Sequence, residues 1–439
     1  MDISAQIDHA EALVKVTVPS PEEKPYSIER LAKVLGSTIR HDDANKVITF
    51  LTMLLTYTTE DQINLGFLAD SSTGKSYIPI EIATGYFPKE DVLLTGYASN
   101  QSYFHDTQSE TTKLPNGKTA FRIDLQKKIL VWLDQPHTKL LERLRPLLSH
   151  DQKEILIQIT DRTKYQGNRT KHMLLVGYPT VMFCTASPFM SQQEKTRLLL
   201  LSPEQTQEKI HAGVKLKIRK EADRKAFRRL IEADVERRAL IARVELVKKA
   251  NVDQVTIPSE FLDGIDAKFE NIHDSVLQAR HQRDICRLLG LIKAHALLNY
   301  IYRDKRKNED GTVDVVATKE DVDAGFKLYD TVRLANEIGI PPDLYYVFKD
   351  LEKYIEEKVI WDDENSIQTF TTIDYMKFAL KILKRRISYD TARETLNTLE
   401  SIGYIEPTEN PSDRRIRRYK ISDFVSEEEN CLHQCKLEE

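Results

Sequence analysis

Short apolar runs alternate with polar or helical stretches in the first half of the chain. Five runs have strand length: INLGFLA (63–69), DVLLTGY (91–97), KILVWLD (128–134), KEILIQIT (153–160) and TVMFCTA (180–186). Apolar runs of this length, bounded by polar residues, are typical of buried strands. The segments between them predict a parallel sheet covered on both faces. Before them, residues 26–59 predict two helices, divided by an Asp-Asp pair that can cap the second.

After residue 207 the strand-like runs give way to long charged helices. The stretch KIRKEADRKAFRRLIEADVERRALIARVELVKKA (217–250) predicts a helix with one solvated face, and a DNA-binding rod is the alternative. The apolar residues expected to turn inward are Phe227, Leu230, Ile231, Val235, Leu240 and Val244. A second helical block is expected over 272–334, and GIPPD (339–343) marks a linker before a last unit.

Length and composition set the class of protein. A chain of 439 residues predicts two or three domains, and 41% hydrophobic with 30% charged residues is ordinary for a globular protein. The net charge of -4 does not indicate whether the protein binds nucleic acid. Evidence for such binding has to come from local clusters of basic residues. The longest apolar run, 47–55, is about half a bilayer span, which predicts a cytoplasmic protein without a membrane partner.

The stretch LADSSTGKSY (68–77) follows an apolar strand and precedes a helix expected near Gly74. Such a loop points backbone N–H groups at a phosphate, and the helix N-terminus adds positive charge. Lys75 would reach the β- and γ-phosphates, and Ser76 would offer its hydroxyl to Mg²⁺. The residues predicted to bind ATP are Ala69, Asp70, Ser71, Ser72, Thr73, Gly74, Lys75 and Ser76. Ala69 departs from the pattern, since it stands where a glycine is usual.

Two further strand ends carry polar groups that suit the same chemistry. Asp134 ends the run KILVWLD, and a carboxylate at the end of a neighbouring strand can hold Mg²⁺ together with Ser76. Thr185 ends TVMFCTA, where its hydroxyl could position an attacking water. A polar turn is the alternative for either residue alone. The three strand ends together predict an ATPase with ATP and Mg²⁺ as cofactors.

At these residues the chain resembles the AAA+ ATPases, with Walker A at ADSSTGKS, Walker B at ILVWLD and a sensor-1-like Thr185. The stretches RDICRLLGLIKAHALLNY and VATKEDVDAGFKLYD are similar to the lid of the minichromosome maintenance (MCM) helicases. The resemblance covers roughly residues 64–329. It implies that Arg283 is the sensor-2 residue.

The same resemblance implies an arginine finger, which supplies charge to the γ-phosphate bound by a neighbouring subunit. Arg197, in EKTRLLLLSPE, stands about where it would fall, although it can equally be a surface arginine. Gln135 departs from the family, in which glutamate follows the Walker B aspartate. An amide cannot take a proton, so hydrolysis should be slow. The chain is therefore a weak ATPase or carries a Glu-to-Gln change made to trap bound ATP; the intact lid and finger candidates favour the trap.

Two basic segments are candidates for DNA contact. The stretch 159–180 predicts a β-hairpin whose turn is Gln-Gly-Asn, and in MCM-like helicases a hairpin here grips DNA in the central pore. Its predicted DNA-binding residues are Lys164, Arg169 and Lys171. The C-terminal segment has the pattern of a winged helix, which binds duplex DNA or protein. Its predicted DNA-binding residues are Arg393, Arg414, Arg415, Arg417 and Arg418.

Together these features predict an α/β AAA+ P-loop sheet with a helical lid, followed by a winged-helix domain. The expected units are a helical region (1–60), an ATPase core (61–206), a lid (207–338), a winged helix (339–425) and a tail (426–439). The expected function is an ATP-dependent DNA helicase, a homo-oligomeric ring with single-stranded DNA in its pore. The short N-terminal region resembles a reduced version such as a plasmid or virus might encode. The alternatives are an initiator or loader of the origin-recognition type and a nucleotide-gated DNA-binding regulator.

Overall fold

The structure is a computed structural model that describes residues 24–69, 73–96, 110–134, 142, 145–146, 148, 152–161, 169–185, 197–273, 275, 277–333, 336, 342–362, 369–401, 403–408 and 417–422. Its strands are β1 Leu65–Leu68, β2 Val92–Thr95, β3 Glu110–Lys113, β4 Thr119–Asp124, β5 Ile129–Trp132, β6 Glu154–Asp161, β7 Arg169–Val176, β8 Thr180–Thr185, β9 Leu199–Leu201, β10 Val252–Thr256, β11 Lys305–Lys307, β12 Val313–Val316, β13 Thr369–Thr371, β14 Ile405–Thr408 and β15 Arg418–Ile421. Its α-helices are α1 Ile28–Leu35, α2 Asp43–Leu54, α3 Tyr77–Tyr86, α4 Gln207–Ala222, α5 Arg224–Ala233, α6 Val235–Lys249, α7 Leu262–Asn271, α8 His281–Leu298, α9 Lys319–Asp330, α10 Pro342–Asp362, α11 Thr372–Lys381 and α12 Tyr389–Ser401. None of the helices in this described part of the chain combines the length and apolar character that a bilayer crossing requires.

The central element is a five-stranded parallel sheet in the order β2-β5-β8-β1-β9. Its strands alternate between two apolar clusters, as the two-residue period of a strand requires. On β8, Met182 and Cys184 join the core shared with the N-terminal helices, whereas Val181 and Phe183 join a second core on the other face. The predicted parallel sheet is confirmed, with one error in its membership: the run 153–160 forms β6 of a second sheet, and β9, which was not predicted, is an edge strand of the parallel sheet.

A second, four-stranded sheet lies in the order β3-β4-β7-β6 and consists of two antiparallel hairpins. The hairpin β6–β7 is the one predicted from the sequence, and its register runs from Glu154 opposite Val176 to Asp161 opposite Arg169. The hairpin β3–β4 was not predicted. The two hairpins join through a parallel pairing of β4 with β7. Met173 and Leu175 of β7 are fully buried in the second core, which attaches the hairpins to the parallel sheet.

The two predicted N-terminal helices are present as α1 and α2, but the expected cap is wrong. Asp42 precedes α2 with a left-handed backbone (φ 55°), and its carboxylate makes no capping hydrogen bond to the helix backbone. It accepts the backbone N–H of Glu204 at 2.6 Å and forms an ion pair with Lys209. A tertiary contact therefore occupies the group that was expected to cap α2.

The long charged stretch is three helices rather than one. Asp223 and Asp234 each accept backbone N–H groups of the helix that follows them, so one ends α4 and begins α5 and the other begins α6. Leu240 and Val244 in α6 are buried as expected, whereas Leu230 is 68% and Val235 70% exposed. The prediction of one continuous inward face is wrong. Within the fully described helices α4 and α5 no residue is buried, and we call residues 207–233 the arm.

The expectation that residues 207–338 are helical throughout is also wrong. A three-stranded sheet, β10-β12-β11, lies among the lid helices. Its strands are short and contain charged residues, so they do not form continuous apolar runs. Helices α8 and α9 carry a buried polar cluster: Asp321 accepts from Arg303 at 2.7 Å and lies 2.6 Å from His295 Nδ1. This cluster fixes α9 against the helix that contains the Ala-His-Ala sequence.

The C-terminal unit has its own apolar core. Ala392, Leu396 and Leu399 of α12 are fully buried, as predicted. The two expected strands, β14 and β15, pair antiparallel, and β13 pairs with the other side of β15. The order of elements is therefore a strand, two helices and two strands, preceded by the long helix α10.

Candidate functional site

The phosphate loop leaves β1 at its carboxyl end and enters α3. Ala69 continues the strand by donating its N–H to the carbonyl oxygen of Thr185 at 3.3 Å. Gly74 has φ of +95°, the left-handed region that glycine adopts without strain. The carbonyl oxygen of Gly74 accepts the N–H groups of Tyr77 (3.0 Å) and Ile78 (3.2 Å), which starts the helix.

Lys75 folds back over this loop. Its Nζ donates to the carbonyl oxygen of Ala69 at 2.9 Å. The ammonium group thus lies at the carboxyl end of β1. A triphosphate bound there would compete for it with a stronger, charged acceptor.

The three predicted strand ends lie on one edge of the parallel sheet. Leu68 is in register with Thr185, and Trp132 is in register with Phe183, so Asp134 ends level with Thr185. Asp134 does not lie on a strand next to the phosphate loop, as the sequence interpretation had it, because β8 separates β1 from β5. Two strand spacings put the β1 and β5 backbones about 10 Å apart, a gap that the side chains can reduce.

The thiol of Cys184 lies near the phosphate loop. Cys184 is fully buried between β1 and β5, and its Sγ lies 3.6 Å from the carbonyl oxygen of Lys75. Burial raises the pKa of Cys184 to about 12; a hydrogen bond with Ser76 and the charge of Lys75 lower it, and the charge of Asp134 raises it. Lys75, Ser76 and Asp134 therefore act electrostatically on one atom.

These side chains fit a magnesium nucleotide. Asp134 is exposed at the sheet edge, and Ser76 is partly buried in the turn before α3. A carboxylate and a hydroxyl supply the oxygen ligands that Mg²⁺ takes beside substrate phosphates. Thr185 is 2% exposed at the end of the strand between them. Asp134 and Ser76 are the residues that would hold the metal.

Arg197 and Arg283 lie elsewhere, on a cavity of about 350 Å³ that Arg287 and Asn64 also line. Asn64 precedes β1, and Arg197 lies two residues before β9, whose Leu199 pairs with Leu65. The cavity is thus at the amino end of the sheet. At about 3.3 Å per residue, the four residues of β1 put the phosphate loop roughly 13 Å away. The structure does not bring these two arginines to the phosphate loop of their own chain.

The basic hairpins lie side by side. Arg169 opens β7 opposite Asp161, and Lys171 lies opposite Ile159. In the unpredicted hairpin β3–β4, Lys113 and Lys118 flank a turn closed by the N–H of Gly117 on the carbonyl oxygen of Leu114 at 2.9 Å. Lys113 and Lys118 are exposed. The dipeptide Asn116-Gly117 was the signal that could have revealed this turn.

The C-terminal arginines occupy different environments. Arg393 is exposed on α12, but Asp390 and Glu394 on the same helix are exposed too. Arg417 binds Glu400 at 2.5 Å and lies over the ring of Tyr419. Arg418 is in β15, in register with Thr408. The two described arginines of the predicted wing, Arg417 and Arg418, therefore lie at β15, and Arg417 is paired with a carboxylate.

Several predicted site residues lie outside the described part of the chain. They are Asp70, Ser71, Ser72, Gln135, Lys164, Arg414 and Arg415. Their roles remain predictions.

Comparison with known proteins gives a likeness of fold. No model of a protein family matches the chain, and no curated protein sequence matches it. Among solved structures, it is similar to a full-length MCM homolog from Methanopyrus kandleri, with 12% identity and a TM-score of 0.41 over 75% of this chain and 61% of that one. It is also similar to the C-terminal region of NrS-1 (10% identity, TM-score 0.29, 92% of this chain, 79% of that one). A third is a putative ATPase from Cytophaga hutchinsonii (11% identity, TM-score 0.34, 82% of this chain, 99% of that one).

This chain spans 61% of the length of the MCM homolog. The described part of the chain has the parallel five-stranded sheet that the sequence predicts for an α/β fold. Its chemistry has to follow from its own side chains and their geometry.

Proposed function

We propose that this chain is an ATP-dependent DNA translocase of the MCM-like AAA+ type. The observation that carries the proposal is that Lys75, Ser76 and Asp134 follow the carboxyl ends of two strands, β1 and β5, that both pair in parallel with β8. A phosphate-binding lysine, a hydroxyl and a carboxylate on one sheet edge are the groups that phosphoryl transfer needs for positioning and charge stabilisation.

The chain's own residues have separate roles in this reaction. Lys75 leaves the carbonyl oxygen of Ala69 and binds the β- and γ-phosphates, while Gly74 lets the backbone approach them. Ser76 and Asp134 hold Mg²⁺, which neutralises charge on the phosphates when it is bound. Thr185 orients the attacking water. Gln135 can hydrogen-bond that water but cannot remove its proton, so turnover is slow.

Assembly into a ring follows from the position of the arginines. Arg197 and Arg283 share one cavity at the amino end of the sheet, while the phosphate loop is at the carboxyl end. Each arginine therefore serves the nucleotide of a neighbouring subunit. An interface of this kind makes hydrolysis depend on oligomerisation.

The substrate proposal rests on the paired hairpins. Because β4 and β7 are parallel, Lys118, which precedes β4, and Arg169, which opens β7, stand toward the same end of the four-stranded sheet. Four basic residues on two adjacent hairpins, Lys113, Lys118, Arg169 and Lys171, match the phosphates of a single DNA strand. Lys113 and Lys118 extend the DNA-binding set beyond the sequence prediction.

The C-terminal unit is proposed to be a winged helix that contacts duplex DNA through its wing. Its support is the order of β13, α11, α12, β14 and β15 and the arginines at β15. The acidic residues Asp390 and Glu394 argue against major-groove reading by α12 itself, because they repel the phosphates that flank a groove. Sequence-independent backbone contact fits this charge pattern better.

Restoring glutamate at position 135 tests the proposed function. Gln135→Glu should raise ATP hydrolysis by about 10²- to 10⁴-fold, the range that a general base contributes, with further stimulation by single-stranded DNA. Strand separation on forked DNA should accompany it. Lys75→Ala in the same background is the control and should abolish hydrolysis.

The other outcomes point to the other functions. Hydrolysis without strand separation would favour a loader of the origin-recognition type. Unchanged hydrolysis in Gln135→Glu would favour a nucleotide-gated regulator that binds DNA without turnover.

A further inference from the structure

Lys209, in the first turn of α4, contacts the phosphate loop. Its Nζ donates to the carbonyl oxygen of Thr73 at 3.3 Å and forms an ion pair with Asp42. The side chain of Lys209 is 14% exposed and that of Asp42 is 1% exposed. No local sequence pattern predicts this contact, because Asp42, Thr73 and Lys209 are far apart along the chain.

Several hydrogen bonds fix the position of Asp42, the partner of Lys209. Its Oδ1 accepts from the backbone N–H of Glu204 at 2.6 Å and from Asn45 Nδ2 at 3.2 Å. Its own N–H donates to Glu204 Oε1 at 3.1 Å. Asp42 and the preceding His41 both have positive φ, 55° and 58°. A strained pair of this kind persists only where surrounding contacts over-determine it, and such pairs cluster at functional sites.

The turn before Asp42 touches the same region of the loop. The hydroxyl of Tyr77, the first residue of α3, donates to the carbonyl oxygen of Thr38 at 3.0 Å. Burial, and then the charge of Asp42, raise the pKa of Glu204. The positive charge of Lys209 thus lies against a buried carboxylate on one side and the phosphate loop on the other.

Peptide geometry gives this contact a consequence for phosphate binding. The carbonyl of Thr73 and the N–H of Gly74 belong to one planar trans peptide, so they point in opposite directions. A cation bound to the Thr73 carbonyl oxygen therefore fixes the direction of the Gly74 N–H, which points away from Lys209. Successive backbone N–H groups in a loop of this kind are donors that can cradle a phosphate.

We infer that Lys209 is a positioning residue, which orients the Gly74 N–H toward the nucleotide phosphates while Asp42 holds the lysine in place. This inference rests on the proposed function, since it requires that the loop bind a nucleotide. Lys209 itself contacts the loop and not the nucleotide.

Binding measurements with matched variants test the inference. Lys209→Met should weaken ATP and pyrophosphate binding about tenfold, as loss of one oriented hydrogen bond to a charged group predicts, without changing adenosine binding. Lys209→Arg should restore most of the affinity. Lys217→Met, an exposed lysine of the same helix, is the control and should bind like the wild type.

A double variant separates positioning from stability, because Lys209→Met leaves Asp42 buried without its cation. Asp42→Asn/Lys209→Met removes that charge and should recover the melting temperature of the ligand-free protein but not the affinity for pyrophosphate. Recovery of both would show that Lys209 only neutralises Asp42 and would overturn the inference. So would wild-type affinity in Lys209→Met.

The two proposals fail in different ways. If wild-type protein binds ATP and Lys75→Ala abolishes binding while Lys209→Met does not weaken it, only the positioning role is lost. If the wild type does not bind ATP, both proposals are wrong.

Discussion

At the scale of single residues, Gly74 of the phosphate loop has a left-handed backbone conformation and open space beside its Cα. Gly74 has φ of +95°, and a Cβ built on it would meet nothing within 4 Å. The space in front of Gly74 is where a phosphate would lie. Its constraint is therefore conformational rather than steric, which distinguishes it from glycines that are needed for close packing.

Gly74→Ala should weaken ATP binding roughly tenfold, because a left-handed conformation costs about 1–2 kcal/mol for a residue with a Cβ. Equilibrium titration with ATP measures the loss. Gly96→Ala is the control, since Gly96 is equally open but has no left-handed φ, and its affinity should match the wild type. A Gly74→Ala protein with wild-type affinity would contradict the role given to this loop.

At the scale of elements, the segments of the predicted long helix differ in burial. Leu240 of α6 is fully buried in the main core, whereas Leu230 of the arm is 68% exposed. Leu240→Ala should lower the free energy of unfolding by about 2–5 kcal/mol, because it opens a cavity. Leu230→Ala should change it by no more than about 0.5 kcal/mol.

Urea unfolding of the two variants measures this difference. Equal losses would mean that the arm packs against the body of the protein in solution, contrary to the exposure of α5.

The polar cluster between α8 and α9 gives the lid a dependence on pH. Burial by itself would raise the pKa of Asp321, but hydrogen bonds from His295 and Arg303 outweigh it and hold the pKa below the usual value. A lowered pKa stabilises the fold above the unfolded value of about 4, and this contribution is lost as pH falls through the folded value.

Asp321→Asn should therefore cost about 3–5 kcal/mol at neutral pH, the range for breaking a buried ion pair, and less below about pH 4. Asp330→Asn, which removes an exposed partner of Arg333, should cost less than about 1 kcal/mol. Chemical unfolding of both variants at several pH values is the measurement. A pH-independent difference for Asp321→Asn would contradict the ionised state of this carboxylate.

At the scale of the whole molecule, the arginine cavity and the phosphate loop lie at opposite ends of β1. Under the proposed function, one chain contributes the phosphate loop to one site and the arginines to another. A ring that places the cavity of one subunit against the loop of the next would complete both sites.

Mixing two inactive variants tests this arrangement. In the Gln135→Glu background, Lys75→Ala and Arg197→Ala should each lose hydrolysis, the latter by about 10³-fold or more. Random mixing of equal amounts should restore about a quarter of the interfaces, those with an intact loop and an intact arginine. Mixing Lys75→Ala with a variant that carries both changes should restore none. If the first mixture also stays inactive, Arg197 does not act across a subunit interface.

Much of the fold could be predicted from the sequence because the signals were local. Buried strands such as β5 and β8 are continuous apolar runs, and α12 shows its apolar face in Ala392, Leu396 and Leu399. The loop around Gly74 and Lys75 and the strand ends at Asp134 and Thr185 were found the same way. The strands of the lid sheet were missed because they are short and interrupted by charged residues, and Asn116-Gly117 was overlooked as a turn.

By itself the sequence determined which segments become buried strands and amphipathic helices, since hydrophobic period and turn residues act over a few positions. Only the tertiary structure decided that β8 lies between β1 and β5, that Arg197 and Arg283 share one cavity, and that Lys209 joins Asp42 to Thr73. It also exposed Leu230 while burying Leu240, although both continue the same helical pattern. The reason is physical: contacts between distant segments depend on how the whole chain closes around its cores, and no local pattern records that choice.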